Sequence, residues 1–162
     1  MTQPTLKVFV DLDGVLVDFD RGVLAATGFF PWQQDKKRMW PLLARVPGFY
    51  AGLAWMPDGK RLWERLAPLE PTVLTGLPMG GWARPQKLEW CRRELGGEVP
   101  VIACLSRHKA EKAREAAPEG RRPLLIDDRE ELGRQIEELG GLFIHHRSAE
   151  ETIAELDRLL AG

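Results

Sequence analysis

Short apolar runs alternate along this chain with longer segments of helical periodicity. The runs are Val8-Phe9-Val10, Thr72-Val73-Leu74, Val101 to Leu105, Leu124-Leu125-Ile126 and Leu142-Phe143-Ile144. Too short for helices and bounded by polar or turn-forming residues, they predict five buried strands. Helical patterns lie between them: Gln86–Leu95 closed by Gly96, Ala110–Ala117 stopped by Pro118, and Glu130–Leu139 closed by Gly140. A last helix is predicted over Ala149–Leu160, where Ser148 and Glu151 form a capping box and Ile153, Leu156 and Leu160 share a face. Such alternation predicts an α/β fold, a three-layer Rossmann-like parallel sheet covered by helices on both faces.

From about Asp18 to Pro71 the alternation stops. The stretch is too long for one crossover helix, has no clear strand, and carries Phe19, Phe29, Phe30, Trp32, Trp40, Phe49, Tyr50 and Trp55. Helices are expected over Arg21–Ala26, Asp35–Ala44 and Asp58–Ala67. An insertion directly after the first strand is expected to sit over the strand ends as a lid. The predicted organisation is a core of residues 1–17 and 72–162 with a helical cap of residues 18–71. Most of the cap aromatics are expected to pack among themselves, since a small lid needs its own core. Trp63 and Trp90, at helical spacing with Leu62, Leu66 and Leu88, are likewise expected in the core.

Composition narrows the partners. With 162 residues the chain builds one core, and 23 Lys and Arg against 24 Asp and Glu give a net charge of −1. No global field draws a polynucleotide or an anionic membrane, so neither a stable nucleic-acid partner nor a membrane is expected; a homodimer is compatible with the pattern. Arg92-Arg93 and Arg121-Arg122 read as solvated charge. Cys91 and Cys104 lack metal or disulfide spacing and read as reduced core thiols. Met1 to Lys7 lacks the basic and apolar regions of a leader, and no apolar run is long enough for a bilayer, so the expected location is the cytoplasm.

Chemistry gathers at the predicted strand ends. In order they carry Asp11-Leu12-Asp13-Gly14, Thr75, Lys109 and Asp127-Asp128. Open α/β sheets bind ligands at the C-terminal ends of their strands. There Asp11 and Asp13 project the same way from extended backbone, and Gly14 lets the chain turn sharply and approach a ligand closely. Phosphoryl transfer needs such parts: a carboxylate nucleophile, a second carboxylate for proton transfer, and a hydroxyl and a lysine to offset charge on the phosphoryl oxygens. Acids on neighbouring strands complete an oxygen-rich Mg²⁺ site. Competing readings stand beside these. Asp127 or Asp128 can cap the helix near Glu130; Lys109 competes with Lys112; Lys87 either reaches a phosphate or is solvated on a polar helix face. His145 and His146 end the fifth strand at the sheet edge and are expected at the surface.

These elements, in this order, resemble motifs I to IV of the haloacid dehalogenase superfamily of phosphotransferases, and the insertion resembles its C1-type cap. A dehalogenase itself would need neither Asp13 nor a Mg²⁺ site, which points to the phosphatases. A phospho-receiver module, which uses similar groups, lacks the large early insert and the late acid pair. A closer resemblance is to the 5'(3')-deoxyribonucleotidases, in Pro47 to Tyr50, Gln86 to Trp90, Ser106 to Lys109 and Leu124 to Arg129. The resemblance implies that Asp11 attacks phosphorus, giving an aspartyl-phosphate, and that Asp13 protonates the leaving oxygen and later activates water. It implies Mg²⁺ held by Asp11, the Asp13 backbone carbonyl and Asp127, with Asp128 as the alternative ligand. Thr75 and the Gly76 N–H would bind a phosphate oxygen, Lys109 would neutralise Asp11 and the phosphoryl group, and Lys87 would reach the phosphate. Phe49, Tyr50, Trp40 and Trp55 become candidates for a nucleobase pocket. The implied substrate is a (deoxy)nucleoside monophosphate, with a sugar phosphate or other small phosphoester as the alternative. Gly76-Leu77-Pro78 departs from the serine and proline often found there in that family, which bears on base and sugar preference.

Overall fold

The structure, a computed structural model, describes residues 5–162. The start of the N-terminal core segment and most of the leader reading therefore fall outside the described residues. Five strands, β1 (Leu6–Val10), β2 (Thr72–Gly76), β3 (Val101–Cys104), β4 (Arg122–Asp127) and β5 (Leu142–His145), form one sheet in the order β3-β2-β1-β4-β5. Every pairing is parallel. The chain winds outward from β1 in one direction through β2 and β3 and in the other through β4 and β5. This puts a topological switch between β1 and β4, where Val10 pairs with Ile126.

Side chains along β1 alternate between two buried faces. Val8 and Val10 belong to one apolar cluster with Leu124, Ile126, Trp90, Leu62 and Leu156; Phe9 belongs to a second with Leu74, Leu125, Ala113 and Ile136. Period-two alternation with apolar residues on both sides is what a central parallel strand requires. The helices follow suit. α5 (Lys109–Ala116) and α6 (Glu131–Glu138) cover the Phe9 face. α3 (Gly59–Leu66), α4 (Ala83–Leu95) and α7 (Ala149–Ala161) cover the other. The three-layer α/β architecture expected from the sequence is the one observed.

Helix ends follow local chemistry. Asp35 caps α2 (Lys36–Arg45) by accepting from Lys37 N at 2.9 Å, and Ser148 caps α7 by accepting from Glu151 N at 3.1 Å. α4 begins three residues before the expected Gln86, because Pro85 lies in the first turn, where its missing N–H costs nothing. The inserted stretch holds α1 (Phe19–Thr27), α2 and α3. Of these, α3 lies in the layer beside α7: Asp58 accepts from Ala149 N at 2.7 Å, and Arg65 pairs with Asp157. Residues 19–57 are the part that stands at the strand ends. Two main-chain bonds tie its roots together, Asp18 N to Ala54 O at 2.9 Å and Met56 N to Leu16 O at 2.7 Å. Among the described residues no helix is long and apolar enough to cross a membrane.

The structure corrects several burial expectations. Trp90 is buried as expected, but Trp63 is only partly buried, because the buried face of α3 runs through Gly59, Leu62 and Leu66; Leu88 is exposed, off the buried face of α4. His146, expected at the surface, is buried against α7 with Nδ1 2.7 Å from Thr152 Oγ1, and burial lowers its pKa.

Candidate functional site

The acidic residues converge at the topological switch. Asp11 directly follows β1, and its N–H donates to Ile126 O at 3.0 Å, extending the β1–β4 ladder by one bond. Asp127 ends β4, fully buried beside it. Parallel neighbours of matched register thus deliver two carboxylates to one point, and Asp128 adds a third. One oxygen from each of Asp11, Asp127 and Asp128 lies within 4.8 Å of the others. Lys109, the first residue of α5, reaches between two of them: its Nζ donates to Asp11 Oδ1 at 2.9 Å and to Asp127 Oδ2 at 2.7 Å. Burial alone would lower the pKa of this ammonium; Asp11 and Asp127 more than offset it, and the group stays charged. Lys112 instead faces outward to Glu115.

The acids are correspondingly hard to ionise together. Burial and the neighbouring Asp11 charge push Asp127 up to about 6, against the pull of Lys109. Asp128 is the exposed member of the trio, yet its carboxyl sits close enough to the others that partial desolvation and the Asp11 and Asp127 charges push it up to about 8. Three carboxylates share one lysine, and a cation would supply the missing positive charge. All donors are oxygens, which suits a hard ion such as Mg²⁺ better than zinc or copper. Gly14 preserves the close approach: at φ +81° it has no side chain, and a Cβ there would collide with the Asp128 carboxylate. The donor set and this cradle fit a divalent cation held by Asp11, Asp127 and Asp128.

Behind the acids, β5 supports the Asp127-Asp128 backbone. His146 N donates to Asp127 O at 2.9 Å, and His145 Nε2 lies 3.0 Å from Asp128 O. The helix-cap alternative for the acid pair is not realised: Glu130 is the N-cap of α6 and no side chain caps it, while Asp127 Oδ1 accepts from Arg129 N at 3.0 Å in the turn before the helix.

Asp13 has a different environment. After Leu12 the chain curls into a turn, with Leu16 N and Val17 N both donating to Leu12 O at 2.9 Å and Gly14 N donating to Val17 O at 2.9 Å. The Asp13 side chain stands apart from the acidic trio. Its Oδ2 accepts from Lys87 Nζ at 3.0 Å, and its Oδ1 is buried with no partner among the described residues. Burial raises its pKa most, Asp11 raises it further, and Lys87 opposes both; the net direction is up.

Lys87 is 1% exposed, which removes the solvated reading. Its stem lies in the buried face of α4, and its head also donates to Thr75 Oγ1 at 2.9 Å and Gly76 O at 2.6 Å. Thr75 is fully buried at the end of β2. Gly76 allows a close crossing: a Cβ there would collide with Ser106 Oγ, in the turn that leads into Lys109.

Of the four aromatic candidates, Tyr50 lies against the site. Lys87 Nζ sits 4.4 Å from its ring centroid, the ring stacks with Phe19 at 5.9 Å and with Trp82 at 5.5 Å, and Tyr50 N donates to Gln86 Oε1 at 2.7 Å. Phe49 meets the edges of Phe19 and Tyr50, and Trp40 leans on Phe19, so both pack behind Tyr50. Trp55 packs on Trp90 at 5.0 Å. Phe19, Trp82 and Gln86 join the site without having been assigned a role from the sequence. Phe19 is the first residue of α1, Trp82 is the N-cap of α4, and Gln86 lies in the first turns of α4, within the Gln86 to Trp90 stretch that carried the family resemblance.

No family model matches the chain, and no curated protein matches it. Among solved structures it is similar to a hydrolase from Pseudomonas syringae, with a TM-score of 0.53 and 16% sequence identity over 94% of this chain and 89% of that one. At that identity the likeness is one of fold.

Proposed function

We propose that this chain is a Mg²⁺-dependent phosphomonoester hydrolase of the haloacid dehalogenase type, acting through an aspartyl-phosphate on (deoxy)nucleoside monophosphates. The observation that carries the reading is the unequal treatment of two carboxylates two residues apart. Asp11 lies 2.9 Å from a buried lysine and within the acidic trio, whereas Asp13 is held on its own lysine with one oxygen free. Pairs of acids whose environments differ in this way divide into nucleophile and proton carrier. That the similar structure is named a hydrolase agrees with this reading.

In this mechanism Asp11 attacks phosphorus in line with the departing oxygen. Asp13, whose burial favours the protonated form, gives its proton to that oxygen and then takes one from the water that hydrolyses the aspartyl-phosphate. Lys109 and the end of β2 with Thr75 and Gly76 offset charge on the phosphoryl oxygens. Mg²⁺, bound by Asp11, Asp127 or Asp128 and the Asp13 carbonyl, would supply further charge neutralisation and orientation of the phosphate. A nucleobase is the leaving-group feature that the aromatic cap favours, and near-neutral charge disfavours a polynucleotide.

A second reading, a sugar phosphate, draws on the burial of the aromatics. Phe49 and Tyr50 are 5% and 3% exposed and pack on each other, so a small leaving group needs less rearrangement than a base. Phosphate release from ribo- and deoxyribonucleoside 5'- and 3'-monophosphates and from sugar phosphates, with Mg²⁺ or EDTA and beside Asp11→Asn, separates the two. Nucleotide turnover lost in EDTA and in Asp11→Asn supports the proposal. Metal-dependent release from sugar phosphates alone selects the second reading, and no metal-dependent release from any ester rejects both.

A further inference from the structure

Two lysines are buried at the strand ends, and their donors are spent differently. An ammonium has three N–H donors. Lys109 uses two, on Asp11 Oδ1 and Asp127 Oδ2, and keeps one. Lys87 uses all three, on Asp13 Oδ2, Thr75 Oγ1 and Gly76 O, at 3.0, 2.9 and 2.6 Å. Its remaining flank is covered by the Tyr50 ring, 4.4 Å from Nζ to the centroid. A phosphate could take a hydrogen bond from Lys87 only by displacing one of these partners, whereas Lys109 can give one at no such cost.

We propose that Lys87 is a positioning residue for Asp13, with the cap residue Tyr50 as its roof, while Lys109 is the lysine that serves the phosphoryl group. This rests on the phosphatase reading above and deepens it. Thr75 Oγ1 and Gly76 O are fixed by β2, so they hold the ammonium, and the ammonium holds Asp13 Oδ2 in place. The other oxygen, Oδ1, has no partner among the described residues and is the one left to carry a proton. In the step concerned, an Asp11 carboxylate oxygen bonds to phosphorus as the bond from phosphorus to the ester oxygen breaks. The electron pair of that bond stays on the ester oxygen, which takes the proton from Asp13 Oδ1 and leaves as the alcohol. Tyr50 adds a cation–π contact and enters from residues 19–57, so the placement of Asp13 depends on the cap being seated.

The test is the dependence of kcat/KM on the leaving group, because kcat/KM reports the first chemical step and only poor leaving groups need a proton in it. Wild type and Lys87→Met are compared on aryl phosphates of graded phenol acidity and on an alkyl phosphate. If Lys87 positions the acid, Lys87→Met loses about 100-fold on the alkyl ester and less than about tenfold on p-nitrophenyl phosphate, a steeper dependence than wild type. Uniform loss across the series, carried by a raised KM, makes Lys87 a phosphate ligand and overturns the proposal while leaving the phosphatase reading intact. A wild-type protein inert to every ester rejects that reading and the proposal with it. Should Lys87→Met fail to fold by circular dichroism, Tyr50→Leu retains the lysine and gives the same comparison: a steeper dependence supports the proposal, and a parallel one overturns it.

Discussion

The Asp128 carboxylate occupies the space where a side chain on Gly14 would begin. The two residues lie in different strand-end loops, after β1 and β4, and approach this closely because β1 and β4 are parallel neighbours in register. Gly14→Ala therefore meets two obstacles, a φ of +81° that costs an L residue roughly 1–2 kcal/mol and a clash that displaces Asp128 from the acidic trio. We expect a lower Tm and a weaker Mg²⁺ response together, measured by thermal unfolding against added Mg²⁺. A variant that loses stability but keeps the wild-type Mg²⁺ response would show that Asp128 is not a ligand.

Lys109 is the cation with which the two buried acids, Asp11 and Asp127, are paired. Removing one partner of a buried ion pair strands the other, typically at a cost of about 3–5 kcal/mol. Lys109→Met should accordingly destabilise the metal-free protein strongly near neutral pH and less at pH 5, where Asp127 and Asp128 are largely protonated. Phosphate release should fall roughly 100-fold to 1,000-fold, the usual scale for deleting one such electrostatic group. Urea unfolding at the two pH values and phosphate assays read both effects; equal destabilisation at pH 5 and 7 would mean that the lysine acts through packing instead.

Most of the architecture was legible in the chain because its signals are local. Val8 to Val10, Leu124 to Ile126 and the capped helices α2 and α7 announce themselves by periodicity and by capping residues. The convergence of Asp11, Lys109 and Asp127 was also foreseeable, since each ends or follows a strand and parallel sheets collect strand ends on one edge. What escaped depends on long-range packing. A lysine on α4 reads equally as solvated or as reaching a phosphate until the helix is docked and Lys87 is found facing Thr75 across the end of β2. Nothing near His146 in the sequence says that α7 will fold over it. The roles of Trp82 and Gln86 exist only once Tyr50, more than thirty residues earlier, arrives from the cap.

The crowded acids give the metal-free protein a definite pH dependence. Carboxyl groups whose folded pKa lies above the unfolded value of about 3.9 bind more protons in the native state, so stability falls as pH rises through that interval. For Asp127 the interval extends to about 6, and for Asp128 to about 8. Without metal, the contribution of these acids should therefore lower the Tm from pH 4 to 8. Asp128→Asn should flatten the decline and raise the Tm at pH 8. Saturating Mg²⁺ should invert the order, because ligand binding stabilises only the form that binds it. Scanning fluorimetry of both proteins at four pH values, with and without Mg²⁺, decides the matter, and a lower Tm for metal-free Asp128→Asn at pH 8 contradicts the argument.

The cap offers a prediction in which stability and substrate choice can be separated. Phe49 is buried against Phe19 and Tyr50, and truncating such a ring to alanine typically costs about 3–5 kcal/mol. Phe49→Leu is gentler: it keeps apolar volume and loses mainly the aromatic edge contacts, so the fold should persist. If this aromatic group receives a nucleobase, Phe49→Leu should reduce kcat/KM for nucleoside monophosphates by about tenfold, the equivalent of about 1.4 kcal/mol at the upper end of one aromatic contact. Turnover of p-nitrophenyl phosphate, whose small ring reaches less of the cap, should change less. Steady-state kinetics on the two substrates, with the Tm of each protein as a control for folding, make the comparison. Equal losses on both would assign Phe49 to the packing of the cap alone and would shift the substrate toward the sugar phosphates.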